Sequence, residues 1–269
     1  MRGGRPSITA SFVAAARAAA GVDPFATRLV PHPFALLARV GRGRWSPMAP
    51  LVALMRVRTL AIDAPVQEAA RRGVSQLVIL GAGLCARAWR LDELRDSTVY
   101  EVDHPATQRY KRSRLEGLVP KARDVRFVPV DFERDDLQRA LDQSGHDTGA
   151  PTTWIWEGVT PYLTREAIAS TLAAVRARSA EGSTIVLTYY PPSHRHTDPL
   201  LRTTAFAVRL LGEPFRALLD TGAMHDLLAR SGFELKDDAS YVELAERLGL
   251  PATWSAIDER VLVAAATRA

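Results

Sequence analysis

Apolar positions follow two different periods along the chain, and the change comes near Gln76. After this residue, apolar runs of strand length alternate with longer segments whose apolar residues recur at helical spacing. The runs predict strands near residues 76–80, 98–102, 125–130, 153–157 and 183–190. The intervening segments predict helices near residues 84–93, 105–118, 134–143 and 164–180. Such alternation is typical of an α/β fold with a doubly wound, mostly parallel sheet.

The C-terminal part of the chain predicts two further strands, which makes seven. Residues 191–220 begin with two prolines and show no clean period, so we expect a helical insert before the sixth strand. Thr221 is expected to cap the next helix, and strands are expected from Phe233 and over residues 260–266. Pro129 places the third strand at the edge of the sheet, because proline lacks the N–H that an interior strand needs.

Residues 1–75 are predicted to be mostly helical. A first helix is expected to end at Gly21, and a second, over residues 26–40, is expected to be broken by its prolines. Residues 51–60 predict a third helix, and Asp63 is placed to cap a fourth. Because this region precedes the sheet, we expect it to cover the sheet as a lid.

Composition narrows the class of protein. Of the 269 residues, 47% are hydrophobic and 24% are charged, which is ordinary for a globular protein, and no apolar run approaches the ~20 residues of a membrane span. The single cysteine, Cys85, excludes an intrachain disulfide and indicates a reducing, cytoplasmic compartment. The net charge of +5 comes from arginines spread along the whole chain, so we expect no nucleic-acid partner.

The ends of the predicted strands carry glycines and acids. The first strand ends in Gly81-Ala82-Gly83, and later strands end at Asp103, Asp131 and Glu157. In an open α/β sheet, ligands bind beyond the carboxyl ends of the strands, where glycines permit close approach and an acid about 20 residues on accepts ribose hydroxyls. The pattern predicts an adenosine-containing cofactor. It suits either S-adenosylmethionine or a nicotinamide dinucleotide.

A longer series of motifs resembles one family. The series is 78–84 (VILGAGL), 89–91 (WRL), 101–105 (EVDHP) followed by Lys111, 130–132 (VDF) and 157–164 (EGVTPYLT). Together these motifs, over about residues 50–190, resemble the leucine carboxyl methyltransferase family. That family belongs to the class I S-adenosylmethionine-dependent methyltransferases, which have a Rossmann-like fold, and includes many bacterial O-methyltransferases of small molecules.

The resemblance implies a set of cofactor-binding residues. Gly81, Ala82 and Gly83 would lie against the amino-acid part of S-adenosylmethionine, and Asp103 would bind its ribose hydroxyls. Asp131 and Phe132 would contact adenine. Arg58 would pair with the methionine carboxylate, a task that suits a planar guanidinium, and Glu157 would lie near the methionine ammonium. On this interpretation residues 1–269 form one methyltransferase domain, with a lid (1–75), a cofactor-binding half (76–190), an insert (191–220) and C-terminal strands and helices (221–269).

The chain departs from the family at Cys85-Ala86, where other members carry Asp followed by Thr or Ser. Cys85 is interpreted as a small buried hydrophobe. Arg87, Arg90 and Arg95 are interpreted as the solvated side of a helix, although the resemblance places Trp89-Arg90 in the structural core. Trp154 and Trp156 alternate with their neighbours and are expected in the core of the sheet.

The predicted reaction is methyl transfer to a carboxylate or hydroxyl oxygen of a small molecule, with secondary metabolism as one setting. A hydroxyl acceptor needs a base, and the candidate catalytic residues are His104, Tyr162, Tyr189, His194 and His196. No metal is expected, because the prolines around His194 and His196 indicate a loop. Two alternatives stay open, namely a nicotinamide-dependent oxidoreductase on the same sheet and a non-catalytic relative. The oligomeric state stays undetermined.

Overall fold

The computed structural model describes residues 8–40, 48–132, 134–192, 216, 218–252 and 260–266. Its centre is an open seven-stranded sheet with the order β3-β2-β1-β4-β5-β7-β6. The strands are β1 Gln76–Leu80, β2 Thr98–Asp103, β3 Asp124–Pro129, β4 Thr152–Trp156, β5 Thr184–Tyr189, β6 Phe233–Ser240 and β7 Arg260–Ala266. Only β7 runs against the other six strands. The predicted mostly parallel, seven-stranded α/β fold is therefore confirmed.

Helices cover both faces of this sheet. They are α1 Ile8–Ala20, α2 Ala26–Leu29, α3 His32–Val40, α4 Ala49–Arg71, α5 Arg87–Arg90, α6 Pro105–Leu115, α7 Leu137–Gln143, α8 Arg165–Ala177, α9 Thr221–Arg230 and α10 Tyr241–Arg247. Short 3₁₀ helices span Asp92–Asp96 and Thr160–Tyr162. The first six helices and α10 share one hydrophobic core, and α7, α8 and α9 share the other. None of the helices within the described ranges combines the length and hydropathy needed to cross a bilayer.

Both faces of the central strands are buried. Val78 and Leu80 face the α7–α9 core, whereas Leu77 and Ile79 face the other core. Trp154 and Trp156 are fully buried against α7–α9, as their alternation predicted. This explains why the central strands read as continuous apolar runs, since parallel strands covered by helices on both sides lack a polar face.

The register of the central strands brings the predicted chemistry together. Leu80 pairs with Val102 of β2 and with Trp156 of β4, so these three strands end level with one another. The residues that follow them therefore share one edge of the sheet. Pro129 is the last residue of β3, and β3 is an edge strand, as predicted.

The N-terminal helices differ from the prediction at Asp63. A single helix, α4, continues through both Asp63 and Pro65, where two helices were expected. Asp63 does not cap a helix, because its carboxylate accepts hydrogen bonds from Arg87 and Arg90. A distant ion pair therefore decides the role of a residue that local pattern assigned to a helix end.

Two other boundaries were also wrong. The helix predicted over residues 84–93 is only the four-residue α5 followed by a 3₁₀ turn. Asp220, not Thr221, caps α9, since its carboxylate accepts the N–H of Ala223 at 2.8 Å. The insert predicted over residues 191–220 lies largely outside the described residues.

Candidate functional site

A cavity of about 450 Å³ opens at the carboxyl edge of the sheet, beyond β1, β2 and β4. The eight residues predicted to bind a cofactor all line it: Arg58, Gly81, Ala82, Gly83, Asp103, Asp131, Phe132 and Glu157. They come from α4, from the last residue of β2 and from the segments after β1, β3 and β4, so the register of the sheet assembles them. Their convergence is the first structural support for a shared ligand.

The turn after β1 depends on glycine. Gly81 has φ of 67° and Gly83 has φ of 50°, in the left-handed region that side chains rarely adopt. A Cβ on Gly81 would also collide with the side chain of Val159. The turn therefore brings bare backbone to the cavity wall, where a ligand can approach closely.

Asp103 is tied to this turn. Its carboxylate accepts hydrogen bonds from the N–H of Gly83 and from the N–H of His104, the latter at 2.6 Å. Burial raises the pKa of Asp103, and these two bonds offset the rise only in part. The carboxylate is thus held in one orientation beside the glycine turn.

Glu157 follows β4 and lies among three guanidinium groups. Its Oε1 is 2.9 Å from Arg58 Nε and 4.0 Å from Arg17 Nη1, and its Oε2 is 2.7 Å from Arg87 Nη1. Burial alone would raise the pKa of Glu157. The positive charges of Arg87, Arg58 and Arg17 outweigh it and hold the pKa well below the usual range of a glutamate.

A second layer of ion pairs supports these arginines. Asp63 Oδ1 is 2.7 Å from Arg87 Nε, and Asp63 Oδ2 is 2.6 Å from Arg90 Nη1. Arg17 donates to the carbonyl of Leu84 at 2.8 Å. The network joins α1, α4, α5 and β4, and so ties the N-terminal helices to the cavity.

Sequence reasoning missed Arg17 and Arg87. The interpretation of Arg87 and Arg90 as a solvated helix side was wrong: the Arg87 side chain is 1% exposed and that of Arg90 is 9% exposed. The reason is that α5 is one turn long and points these side chains at Asp63. Arg95 is exposed, as predicted. One signal was present for Arg17, which is the only charged residue of an alanine-rich helix.

Helix α1 forms a wall of the cavity. Thr9, Ala10, Val13 and Arg17 line it, and the last three are spaced to share one helix face. Ala10 approaches within 3.5 Å of the position that a Cβ on Gly83 would take. The N-terminal helices therefore cover the glycine turn, where the sequence predicted a lid.

Cys85 follows the glycine turn and also lines the cavity. It is 5% exposed, which confirms its interpretation as a buried residue, and its Sγ is 3.4 Å from Arg87 Nη1. The Cys85 thiol therefore stands beside the guanidinium that pairs with Glu157.

Two of the five candidate catalytic residues line the cavity. His104 and Tyr162 line the cavity, and His104 Nδ1 also accepts the N–H of Ala106 at the start of α6. Tyr189 is not among the lining residues, and its hydroxyl donates to Asp238 at 2.7 Å. His194 and His196 lie outside the described residues. Across the described ranges, no group of three or more metal-ligating side chains is arranged to hold a metal ion.

Comparisons with known proteins agree with this geometry. The family model described as leucine carboxyl methyltransferase matches residues 9–176. A relative from Mycobacteroides abscessus, named as an S-adenosyl-L-methionine-dependent methyltransferase, is 34% identical over 88% of this chain and 86% of its own length. One from Mycobacterium marinum with the same name is 46% identical, over 51% of this chain and only 44% of that protein.

Two solved structures share the fold. A Thermobifida fusca protein described as a methyltransferase has a TM-score of 0.66 at 16% identity, and the match covers 98% of this chain and 96% of that one. A DUF574 family protein from Streptomyces avermitilis has a TM-score of 0.65 at 14% identity, covering 97% and 98%. The family match also decides between the two predicted cofactors, against a nicotinamide dinucleotide. The chain belongs to the leucine carboxyl methyltransferase family of S-adenosylmethionine-dependent methyltransferases.

Proposed function

We propose that this chain transfers the methyl group of S-adenosylmethionine to an oxygen of a small molecule. The observation that carries the proposal is the convergence of Asp103, Glu157 and Arg58 on one cavity beside the glycine turn. These groups offer a carboxylate to a diol, a carboxylate to an ammonium and a guanidinium to a carboxylate. The cofactor contains all three of those groups.

The inner end of the cavity fits a zwitterionic amino acid. Arg17, Arg58 and Arg87 surround the single carboxylate of Glu157, and Arg87 Nη2 is buried without a hydrogen-bond partner among the described residues. A buried donor of this kind costs free energy unless a ligand or water satisfies it. Arg58 would hold the methionine carboxylate, and Glu157 would accept from the ammonium.

The outer wall fits the nucleoside. Asp103 keeps lone pairs for ribose hydroxyls although it accepts two backbone N–H groups, because a carboxylate has about four acceptor positions. Asp131 and Phe132, after β3, would contact the adenine edge and face. When bound, S-adenosylmethionine supplies a methyl group on a sulfonium.

The acceptor would lie at the wall formed by Val159, Tyr162, Leu163 and Arg216. A carboxylate acceptor is already nucleophilic, so the chain would need only to align it with the methyl donor. For a hydroxyl acceptor, the candidate base is His104, which also lines the cavity. Because Nδ1 accepts the N–H of Ala106, Nε2 carries the hydrogen of the neutral ring, so His104 would take a proton only at Nδ1, after giving up this hydrogen bond.

The proposal extends to the setting of the enzyme. A free, buried thiol supports a reducing, cytoplasmic compartment, and secondary metabolism is the class of pathway we infer. The contacts of α1 with the cavity support one domain in which residues 1–75 act as the lid.

Calorimetry tests the cofactor, and a methyl-transfer assay tests the acceptor. We expect saturable binding of S-adenosylmethionine and S-adenosylhomocysteine, and no comparable binding of NADH. Labelled methyl groups should then appear on members of a panel of small carboxylic acids or alcohols. Absence of binding of both adenosyl compounds would refute the cofactor site. Binding without turnover on any acceptor would favour the non-catalytic alternative.

A further inference from the structure

We propose that Arg87 is a positioning residue. Asp63 fixes the guanidinium of Arg87, and Arg87 in turn keeps Glu157 ionised and oriented towards the ammonium of the cofactor. This inference rests on the proposed function. It concerns a residue whose own contacts are with protein carboxylates.

The geometry makes Arg87 a bridge between two elements. Its Nε lies 2.7 Å from Asp63 Oδ1 in α4, and its Nη1 lies 2.7 Å from Glu157 Oε2 after β4. The side chain is 1% exposed, so both pairs form away from bulk water. A planar guanidinium with two carboxylates on different edges cannot rotate without breaking one of them.

Charged groups reach Glu157 from every element packed around it. Arg17 comes from α1, Arg58 from α4 and Arg87 from α5, while Cys85 and Asp63 contact Arg87 from the glycine loop and from α4. Arg58 and Arg17 approach Oε1, and Arg87 is the group that pairs with Oε2. Loss of Arg87 would therefore leave one oxygen of a buried carboxylate without its ionic partner.

The expected consequence is a new dependence on pH. Burial opposes ionisation of Glu157, and Arg87 contributes the largest of the favourable charges. Without Arg87 the pKa of Glu157 rises. A protonated Glu157 cannot balance an ammonium, so cofactor affinity should fall as pH drops through the raised pKa, by about tenfold per pH unit below it.

Arg90 offers a matched control. It pairs with the same Asp63, through Oδ2 at 2.6 Å, but it makes no contact with Glu157 among the contacts of the described residues. Arg90→Met therefore removes the same charge from the same network and leaves both oxygens of Glu157 paired.

The test is S-adenosylhomocysteine affinity from about pH 5 to about pH 7, a range in which an α-ammonium stays mostly charged and a glutamate with a normal pKa stays mostly ionised. We expect a shallow profile for wild type and Arg90→Met, and a steep acid-side loss for Arg87→Met. Arg87→Lys keeps the positive charge, so it should retain part of the wild-type affinity at the acid end of the range. Asp63→Asn should lie between wild type and Arg87→Met.

Folding is followed separately by thermal melts at each pH. If Arg87→Met is too unstable to measure, the comparison of Arg87→Lys and Asp63→Asn with Arg90→Met decides the question. Parallel profiles for all folded variants would overturn the positioning role. If wild type itself binds no adenosyl compound, the proposed function fails instead.

Discussion

Two buried carboxylates at the same edge of the sheet have opposite surroundings. Asp238, in β6, accepts from the Tyr189 hydroxyl at 2.7 Å, from His225 Nε2 at 2.6 Å and from Arg260 Nε at 2.8 Å. Glu157, after β4, has only arginines around it, and one nitrogen of Arg87 is left without a hydrogen-bond partner in the described part of the chain.

The difference separates a structural cluster from a binding cluster. The donors around Asp238 converge on one carboxylate, and Asp238 does not line the cavity. Glu157 lines the cavity, and the four arginines of its network, Arg17, Arg58, Arg87 and Arg90, outnumber by one the carboxylates of Asp23, Asp63 and Glu157 among the described residues. An excess of charge with an unsatisfied buried donor indicates a place for a charged ligand, whereas a satisfied cluster stabilises the fold.

The largest expected effect follows from removing Glu157. Glu157→Gln leaves three arginines facing one another, and breaking a buried ion pair costs about 3–5 kcal/mol in free energy of unfolding. Binding of S-adenosylhomocysteine should be lost as well. Urea denaturation and calorimetry measure the two effects. Glu246→Gln, at an exposed position in α10, should change neither, and retained affinity in Glu157→Gln would contradict the comparison.

Asp238→Asn tests the structural half of the comparison. The amide N–H of asparagine would face the Tyr189 hydroxyl and His225 Nε2, which now donate to the carboxylate. We therefore expect the free energy of unfolding to fall by about 2–3 kcal/mol. Affinity for S-adenosylhomocysteine should stay unchanged, since Asp238 is not part of the cavity wall. The exposed Asp226→Asn serves as the control. A loss of affinity larger than the loss of stability explains would show that the two clusters act together.

Gly81→Ala has a smaller effect on stability and a specific effect on binding. The left-handed backbone costs about 1–2 kcal/mol for a residue with a Cβ, and the collision with Val159 shifts the turn. We expect about tenfold weaker binding of S-adenosylhomocysteine, which is about 1.4 kcal/mol. Gly73→Ala imposes similar backbone strain in open space, away from the cavity, and should leave affinity unchanged. Equal affinities for the two variants would show that the glycine turn has no specific role in binding.

Tyr189→Phe is expected to have the smallest effect. It deletes one hydrogen bond to Asp238, worth about 1 kcal/mol. Burial and Asp238 raise the pKa of Tyr189, so this residue's contribution to stability is complete below the unfolded-state pKa of about 10 and declines as pH rises above it. The variant should therefore lose stability less steeply than wild type above about pH 10.

Tyr241→Phe provides the comparison for that measurement. The Tyr241 hydroxyl is buried and has no hydrogen-bond partner among the described residues, so its deletion should cost little. Urea denaturation at neutral and alkaline pH distinguishes the variants. Identical behaviour of Tyr189→Phe and Tyr241→Phe would show that the Asp238 cluster adds no stability.

The sheet and its strand ends were largely predictable because their signals are local. An apolar run of strand length, a Gly-x-Gly turn and an acid directly after a strand can each be recognised within about ten residues. Asp103, Asp131 and Glu157 were found in this way, and the resemblance to a family added Arg58 and Phe132. Helix ends were less predictable, as Asp63 shows, because a side chain that suits a cap also suits a distant ion pair.

By itself, the sequence determined the α/β sheet, the edge position of β3 and the acids that converge on the cavity, since each depends on periodicity or on residues next to a strand. Only the tertiary structure decided which cations meet Glu157. Arg87 and Arg58 lie 70 and 99 positions from it in the chain, and no local pattern distinguishes an arginine that faces water from one that faces a buried carboxylate. That choice depends on how α4, α5 and β4 pack, because burial makes the pairing of charges obligatory.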